Sequence, residues 1–204
     1  MLNDRPEPPV TVCVVIPLYN AAASIAQTLD SVCGQTRLPD KVIVIDDGSS
    51  DAGPQIVKDY AAPFPLLLLQ QANQGPATAR NRGVFTANET FIAFLDADDR
   101  WHPQKLEKQL ALFAELTREG HEVGLIDCYQ MSEFDDGKRQ LEDRRKHGDH
   151  FADFMRENMI NGTSGVLALR ELVVAIGGFD QSLRFAEDRL LWTRIAELRE
   201  IHTV

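Results

Sequence analysis

KVIVIDDGS at residues 41–49 and FIAFLDADD at residues 91–99 share one pattern, a short apolar run that ends in a cluster of acidic residues. Short apolar runs bounded by turn residues are typical of buried strands in a parallel sheet. In open α/β sheets, ligands bind outside the carboxyl ends of the strands. The two stretches therefore predict an α/β fold with a ligand site at the edge of the sheet where both acidic clusters lie.

The second cluster contains Asp96 and Asp98, whose side chains point the same way in an extended segment because they are two residues apart. Paired carboxylates at a strand end suit a hard cation such as Mg²⁺ or Mn²⁺, which takes oxygen ligands and often completes its shell with phosphate oxygens. The natural ligand is then a nucleoside diphosphate. The alternative is a turn of solvated acids, which the preceding apolar strand disfavours.

Strands and helices alternate along the first half of the chain, which predicts a right-handed, mostly parallel sheet flanked by helices. Ser24 is expected to cap the first helix, with Gln27 completing a capping box. A helix expected at residues 186–198 would turn Leu198 toward the core. The charged segment 132–150 has little apolar surface to bury, so we expect it to be exposed and mobile.

Composition excludes several function classes. The 204 residues carry a formal net charge of −10 and show no basic stripe, which argues against a nucleic-acid partner. The chain has no apolar run near the roughly 20 residues of a membrane span and no signal peptide at its start, so a cytoplasmic location is the default expectation. Three widely spaced cysteines indicate buried thiols in a reducing compartment. The five histidines show no metal-binding pattern such as HExxH.

Six motifs occur in order and together resemble the family 2 glycosyltransferases with the GT-A fold, a Rossmann-like sheet flanked by helices with an acceptor-side region. The resemblance runs from about Val10 to Leu198. The motifs are VVIPLYN (14–20), VIDDGSSD (44–51), NQGPATARNRG (73–83), FLDADD (94–99), GGFD (177–180) and AED (186–188).

The resemblance implies a donor pocket that holds the nucleotide. Asp47 would accept a hydrogen bond from the base, which is often uracil, and Pro17, Tyr19 and Asn20 would line the same pocket. Without the other motifs, the acidic pair before Gly48 would be read as a polar turn. Arg80 would reach the phosphates or brace the acidic site, although a purely structural arginine is an equal alternative.

The resemblance also implies the chemistry. Asp98 corresponds to the principal metal ligand and Asp96 to a residue near the ribose and the metal, with Mg²⁺ or Mn²⁺ as the cofactor. Asp188 corresponds to the catalytic base of inverting enzymes, which deprotonates the acceptor hydroxyl. An isolated Glu187-Asp188 pair would instead be read as a complement to a helix dipole.

The implied donor is a sugar linked to a nucleoside diphosphate, UDP first, with dTDP and GDP as alternatives. The acceptor would be a glycan, a lipid-linked group or a protein, in polysaccharide or glycoconjugate biosynthesis, with peripheral attachment at the inner membrane face as one possible setting. A sugar nucleotidyltransferase is disfavoured because no glycine-rich loop follows the first strand. A non-catalytic sugar-nucleotide-binding module is the rival from another class.

The expected organisation has three parts. Residues 1–9 are a disordered, proline-rich lead, residues 10–130 the nucleotide-sugar-binding half of a GT-A domain, and residues 131–204 its acceptor-side half. The family usually continues with another strand and further helices, and residues 200–204 begin what looks like that strand. The acceptor-side half is therefore expected to be cut short at its C-terminal end.

Overall fold

The structure is a computed structural model that describes residues 10–133, 136–144, 146–183 and 185–204. The lead expected at residues 1–9 lies outside these ranges. The described residues form ten strands: β1 (Val12–Leu18), β2 (Lys41–Asp46), β3 (Leu66–Gln70), β4 (Phe91–Phe94), β5 (Val123–Asp127), β6 (Gln130–Glu133), β7 (Arg139–Glu142), β8 (His147–Gly148), β9 (Leu167–Leu169) and β10 (Glu200–Thr203).

The same ranges contain seven α-helices and a single 3₁₀ turn at Thr163–Gly165. The helices are α1 (Ile25–Cys33), α2 (Gly53–Asp59), α3 (Pro76–Thr86), α4 (Lys105–Glu119), α5 (Phe151–Phe154), α6 (Arg170–Ile176) and α7 (Glu187–Leu198). None of the described helices has the length and apolar character of a membrane span.

Eight of the strands form one sheet in the order β3-β2-β1-β4-β9-β5-β10-β8. Strands β1 to β4 pair in parallel, as do β5 and β10, whereas β9 and β8 run antiparallel to their neighbours. Strand β9 lies between β4 and β5, so a single sheet crosses both expected halves of the chain. The predicted α/β fold with a mostly parallel sheet is confirmed.

Both faces of the sheet are buried, and β1 shows why. Val12, Val14 and Ile16 pack into a cluster with residues of α1, α2 and α4. The alternate residues Cys13 and Val15 pack into a second cluster with residues of α3, α6 and α7. Since side chains alternate across a strand, a continuous apolar run places a helical layer on each face. Each fully buried aliphatic side chain contributes about 1.5–3 kcal/mol to stability.

The expected capping box at α1 is wrong. No side-chain hydrogen bond caps the helix. The Ser24 hydroxyl instead donates to the carbonyl oxygen of Ala97 at 2.8 Å, and the Thr28 hydroxyl donates to the same oxygen at 2.8 Å. A tertiary hydrogen bond has replaced the local one, and it ties α1 to the segment that follows β4. The inward position expected for Leu198 is also wrong, because its side chain is 47% exposed.

Segment 132–150 is more structured than expected. Strands β6 and β7 form a two-stranded sheet, and β8 pairs with β10. Most of its described residues are exposed, but Lys146 is fully buried and donates to a carboxylate oxygen of Asp127 at 3.0 Å. Its ammonium group also donates to the Thr203 hydroxyl at 3.3 Å. A charged sequence therefore contributes one fully buried ion pair to the protein core, and the mobility of the segment stays a prediction.

Candidate functional site

An open cleft of about 370 Å³ lies where strands β1, β2 and β4 end. Because these strands are parallel, their carboxyl ends meet at one edge of the sheet. The cleft brings together six of the residues predicted for the site, namely Pro17, Tyr19, Asp47, Arg80, Asp96 and Asp98. Two predicted residues, Asn20 and Asp188, are not in its lining.

Asp47 is buried at one end of the cleft and holds the loop between β3 and α3. One carboxylate oxygen accepts hydrogen bonds from the Gln71 side chain at 2.8 Å and the Gln74 N–H at 2.9 Å. The other accepts from the Gly75 N–H at 2.8 Å. Gly75 adopts φ +89°, a conformation that favours glycine. The carboxylate is therefore fixed before any ligand arrives, with lone pairs left for a further donor.

Asp46, its neighbour, supports the loop that follows β2. Its carboxylate accepts from the Ser49 N–H at 2.9 Å and from the Gln70 side chain at 3.0 Å. Asn20 braces this loop from the other side, because its side-chain oxygen accepts from the Ser50 N–H at 2.8 Å. Tyr19, beside it, is 53% exposed at the cleft. Asn20 therefore supports the loop behind the cleft, whereas Tyr19 lies in the cleft lining.

The acidic segment after β4 is held from below by Ser164. The Ser164 hydroxyl accepts from the Asp96 N–H at 3.0 Å and donates to an Asp99 carboxylate oxygen at 2.6 Å. The Trp101 indole N–H donates to the Ser164 carbonyl at 2.7 Å. Burial, the largest cause, raises the pKa of Asp99; the Ser164 hydrogen bond opposes this shift, and the charges of Asp96 and Asp98 add to it. Asp99 thus supports the loop.

Asp98 differs from its two acidic neighbours. Its side chain is exposed at the cleft and makes no hydrogen bond or ion pair with any other described residue. Asp96 keeps one oxygen for Arg80, at 2.6 Å, and its second oxygen accepts no hydrogen bond from a described residue. Free carboxylate oxygens two residues apart are the donor set that Mg²⁺ or Mn²⁺ takes in proteins. The residues fit the predicted cation.

Arg80 joins the acidic cluster to the start of α7. Its guanidinium group lies 2.6 Å from Asp96 and 3.7 Å from Glu187, and it packs over the Phe179 ring at 5.5 Å from the centroid. The side chain is buried, whereas Arg82 points elsewhere and donates to the Gln70 carbonyl at 2.7 Å. Arg80 therefore braces the acidic site through its contact with Asp96.

Asp188 follows Glu187 in the first turn of α7, after Ala186, which adopts φ +61°. A positive φ is strained for a residue other than glycine, and such a conformation persists only where the surrounding structure imposes it. One Asp188 carboxylate oxygen accepts from the Arg189 N–H at 2.6 Å, and the side chain is half-buried. Glu187 is connected to the cleft through Arg80, so it belongs to the site, a role that the sequence reading did not assign to it.

Asn81, next to Arg80, fastens the GGFD motif to α3. Its side-chain N–H donates to the Phe179 carbonyl at 2.8 Å, and its side-chain oxygen accepts from the Phe179 N–H at 2.7 Å. Gly178 adopts φ +75°, and a Cβ atom there would lie 2.2 Å from the Asn81 oxygen. Only glycine fits so close to Asn81. This paired contact holds the segment leading to α7 against α3, beside the cleft.

A second cavity of about 660 Å³ adjoins the cleft and shares Asp98 with it. Its lining includes the basic residues Arg100, Lys105, Lys108 and Arg139. Lys105 is buried, donates to the Gln109 side chain at 2.8 Å and lies 4.1 Å from the centre of the Trp101 ring. Burial lowers its pKa to about 8. Trp192, on α7, is fully buried in the core.

Comparison with known proteins agrees with this geometry. The family model described as glycosyl transferase family 2 matches residues 13–177. The chain is 41% identical over 103 residues to the uncharacterized glycosyltransferase YibD of Escherichia coli (strain K12), a match that covers 50% of this chain and 30% of that protein. It is 39% identical over 115 residues to the amylovoran biosynthesis glycosyltransferase AmsB of Erwinia amylovora, covering 54% and 38%.

A solved structure matches almost the whole chain. The mannosyltransferase PcManGT from Pyrobaculum calidifontis, in complex with GDP-Man and Mn²⁺, superposes with a TM-score of 0.71 at 25% sequence identity. The match covers 95% of this chain and 54% of that one. The fold is therefore the GT-A fold of nucleotide-sugar-dependent transferases, as the sequence predicted. The chain spans about a third of the length of the two curated relatives and about half of this structure.

Proposed function

This chain belongs to glycosyl transferase family 2, and from that premise we propose that it moves a sugar from a nucleoside-diphosphate sugar to an acceptor hydroxyl with inversion at the anomeric carbon. The proposed donor is UDP-linked, and the proposed cofactor is Mg²⁺ or Mn²⁺. The observation that carries the proposal is the single cleft with an anchored Asp47 at one end and the free carboxylate of Asp98 at the other.

The two ends of the cleft suit the two ends of a nucleoside diphosphate. Asp47 accepts hydrogen bonds on both oxygens and would take a base N–H on a remaining lone pair, while Tyr19 offers a ring beside the base. Asp96 and Asp98 would hold the cation, which, when bound, offsets the negative charge of the leaving diphosphate. The Mn²⁺ and GDP-Man in PcManGT support this assignment. A fixed pocket lowers the ordering cost of binding.

Arg80 would position the acidic end of the cleft. It neutralises part of the charge on Asp96 and Glu187, so both carboxylates lie close to one another without uncompensated repulsion. The same contact places the start of α7 beside the donor site. Asp188, in that first turn, would take the proton of the acceptor hydroxyl as its oxygen attacks the sugar carbon. The acceptor is a glycan, a lipid-linked group or a protein hydroxyl.

The test is sugar transfer by the purified chain with a panel of UDP-, dTDP- and GDP-linked sugars, in Mn²⁺, in Mg²⁺ and with a chelator. We expect donor turnover or hydrolysis only with a divalent cation, and an inverted anomeric centre in the product by NMR. Retention of configuration would contradict the mechanism. Tight, metal-dependent binding without turnover under any acceptor would favour a non-catalytic binding module, and formation of a sugar nucleotide from sugar phosphate would favour a nucleotidyltransferase.

A further inference from the structure

Three side chains with metal-ligand chemistry meet at the far side of the sheet. One carboxylate oxygen of Glu200 lies 2.8 Å from His121 Nδ1 and 3.0 Å from His202 Nε2. One ligand atom from each of the three residues lies within 4.8 Å of the others. The sequence gives no metal-binding pattern among the histidines, so this cluster is visible only in the fold. His121 and His202 are far apart in the chain, and the parallel pairing of β5 with β10 brings them together.

This cluster is separate from the cleft that contains Asp47 and Asp98, in which we propose that the sugar nucleotide binds. Neither the donor cleft nor the adjoining cavity has His121, Glu200 or His202 in its lining. Glu200 and His202 lie on β10, and His121 lies in the turn between α4 and β5. An inference from these residues therefore goes beyond the proposed sugar transfer and does not depend on it.

We propose that His121, Glu200 and His202 bind Zn²⁺. Two imidazoles and one carboxylate are ligands that zinc takes, at about 2.0–2.2 Å, and tetrahedral geometry then separates ligand atoms by about 3.3 Å. The present separations of 2.8 and 3.0 Å need to widen by only a few tenths of an ångström. The His121 side chain is 40% exposed, so it has room to move and gives the ion a path from solvent.

His202 is buried, and one of its two ring nitrogens faces the cluster. Its side chain is 2% exposed, and its Nδ1 has no hydrogen-bond partner among the described residues. A buried ring nitrogen without a partner costs free energy. The other ring nitrogen, Nε2, faces Glu200 at 3.0 Å. His121 Nδ1 and His202 Nε2 both face one oxygen of Glu200, so the three ligand atoms border one small volume. Two neighbouring side chains could supply a fourth ligand: His147, with its ring centre 5.8 Å from that of His202, and Glu119, with a carboxylate oxygen 4.0 Å from His121 Nε2. Otherwise water completes the shell.

A zinc ion here would fasten β10 to the rest of the sheet. Strand β10 pairs with β5 on one side and with the two-residue strand β8 on the other. Binding by His121 adds a link to the turn that precedes β5. The ion is therefore structural, and its free energy of binding adds to the stability of the second half of the chain.

The experiment is metal binding to the full 204-residue chain after chelator treatment. Titration with Co²⁺ should give the intense visible absorption of a four-coordinate site, and Zn²⁺ should abolish it at one ion per chain. Calorimetry with Zn²⁺ should show at least a tenfold loss of affinity in His121→Gln and in Glu200→Gln, since even indirect metal-site partners account for about 10–100-fold. Zinc should raise the melting temperature of the wild type and of neither variant.

Two further variants separate this site from others. His102→Gln removes an exposed histidine at the second cavity and should leave Zn²⁺ affinity unchanged. Asp98→Asn alters the donor cleft and should also keep the cobalt spectrum. The proposal is overturned by the absence of four-coordinate cobalt in the wild type, or by equal Zn²⁺ affinity in the wild type and His121→Gln, whose exposed side chain is not needed for folding.

Discussion

The two halves of the sheet are built differently. Strands β1 to β4 pair only with strands from the first half of the chain and, in β4, with the inserted β9. Strands β5, β9 and β10 interleave, so each pairs with a strand distant in sequence. The first half places its chemistry at strand ends, where a local pattern marks it. In the second half, the candidate functional residues, including those at the start of α7, are positioned by contacts between segments that are distant in sequence.

The largest expected effect is on turnover, and it distinguishes Asp188 in the second half from Asp98 in the first half. Asp188→Asn should lower kcat by about 10²–10⁴-fold and spare donor affinity, because a general base acts mainly in the transition state. Asp98→Asn should instead weaken metal-dependent UDP binding by about tenfold or more. Calorimetry with UDP and Mn²⁺, together with steady-state kinetics, measures both effects.

The control for this pair is Asp59→Asn, an exposed carboxylate at the end of α2 that makes only a local hydrogen bond. It should change neither kcat nor UDP affinity. Equal loss of UDP affinity in Asp98→Asn and Asp188→Asn would remove the functional distinction between the halves.

The next effect concerns the stability of the second half. Lys146→Met leaves the buried carboxylate of Asp127 without its cation and should cost about 3–5 kcal/mol of unfolding free energy. Burial already raises the pKa of Asp127, and the Lys146 charge opposes that shift. The loss should therefore shrink as pH falls, since protonation removes the unpaired charge. Urea unfolding at several pH values measures it.

Lys138→Met is the matched control, because Lys138 lies in the same charged segment with its side chain 81% exposed. It should change stability by less than about 0.5 kcal/mol. If Lys146→Met changes the unfolding free energy as little as this control does, Lys146 is not part of a buried ion pair. The segment would then be as loosely attached as its charged composition indicates.

A third effect tests the contact that joins the halves. Asn81→Ala leaves the N–H and carbonyl of Phe179 unpaired in the core and should cost about 2–6 kcal/mol, from about 1–3 kcal/mol for each of the two unsatisfied groups. Asn88→Ala, an exposed asparagine just beyond the same helix, should be near neutral. Denaturant unfolding decides; similar midpoints for the two variants would show that Asn81 does not hold the halves together.

The smallest effect is a pH dependence at the second cavity. Burial lowers the pKa of Lys105 from 10.5 to about 8, so the folded state loses a proton that the unfolded state keeps between these values. Stability should then rise with pH through this window, by up to about 1.4 kcal/mol per pH unit. Lys105→Met should lack that contribution. If the two proteins show parallel stability curves from pH 7 to pH 10, the lysine is not buried as described.

The sequence predicted most of the donor cleft because its residues are marked by local pattern. An apolar strand followed by acids locates Asp47, Asp96 and Asp98, and parallel pairing brings the strand ends together. The role of Ser164 could not be predicted from the sequence. No local pattern around this serine indicates a hydrogen bond to the carboxylate of Asp99, which lies far earlier in the chain. The capping prediction for Ser24 was wrong for a related reason, because its hydroxyl donates to the distant carbonyl of Ala97 and not to the start of its own helix.

In the second half, local sequence patterns predicted the positions of residues less well. Lys146 lies in a charged stretch, so composition favours exposure, and only the pairing of β8 with β10 explains its burial beside Asp127. The zinc-type cluster needs His121 and His202, which no spacing rule connects. Glu187 was noticed as half of an acidic pair, yet its contact with Arg80 depends on how α3 and α7 approach one another.

The position of β9 has a consequence for the order in which the protein forms. Strand β4 is complete early in synthesis, but its outer neighbour and the Ser164 hydroxyl that shapes the acidic loop come some seventy residues later. At a synthesis rate of about 5–20 residues per second, the nascent chain waits several seconds with an open β4 edge. Pairings between strands so distant in sequence also form slowly because a long loop must close first. We therefore expect a ribosome-bound chain to form the pocket around Asp47 before the acidic loop at Asp96 and Asp98 is complete.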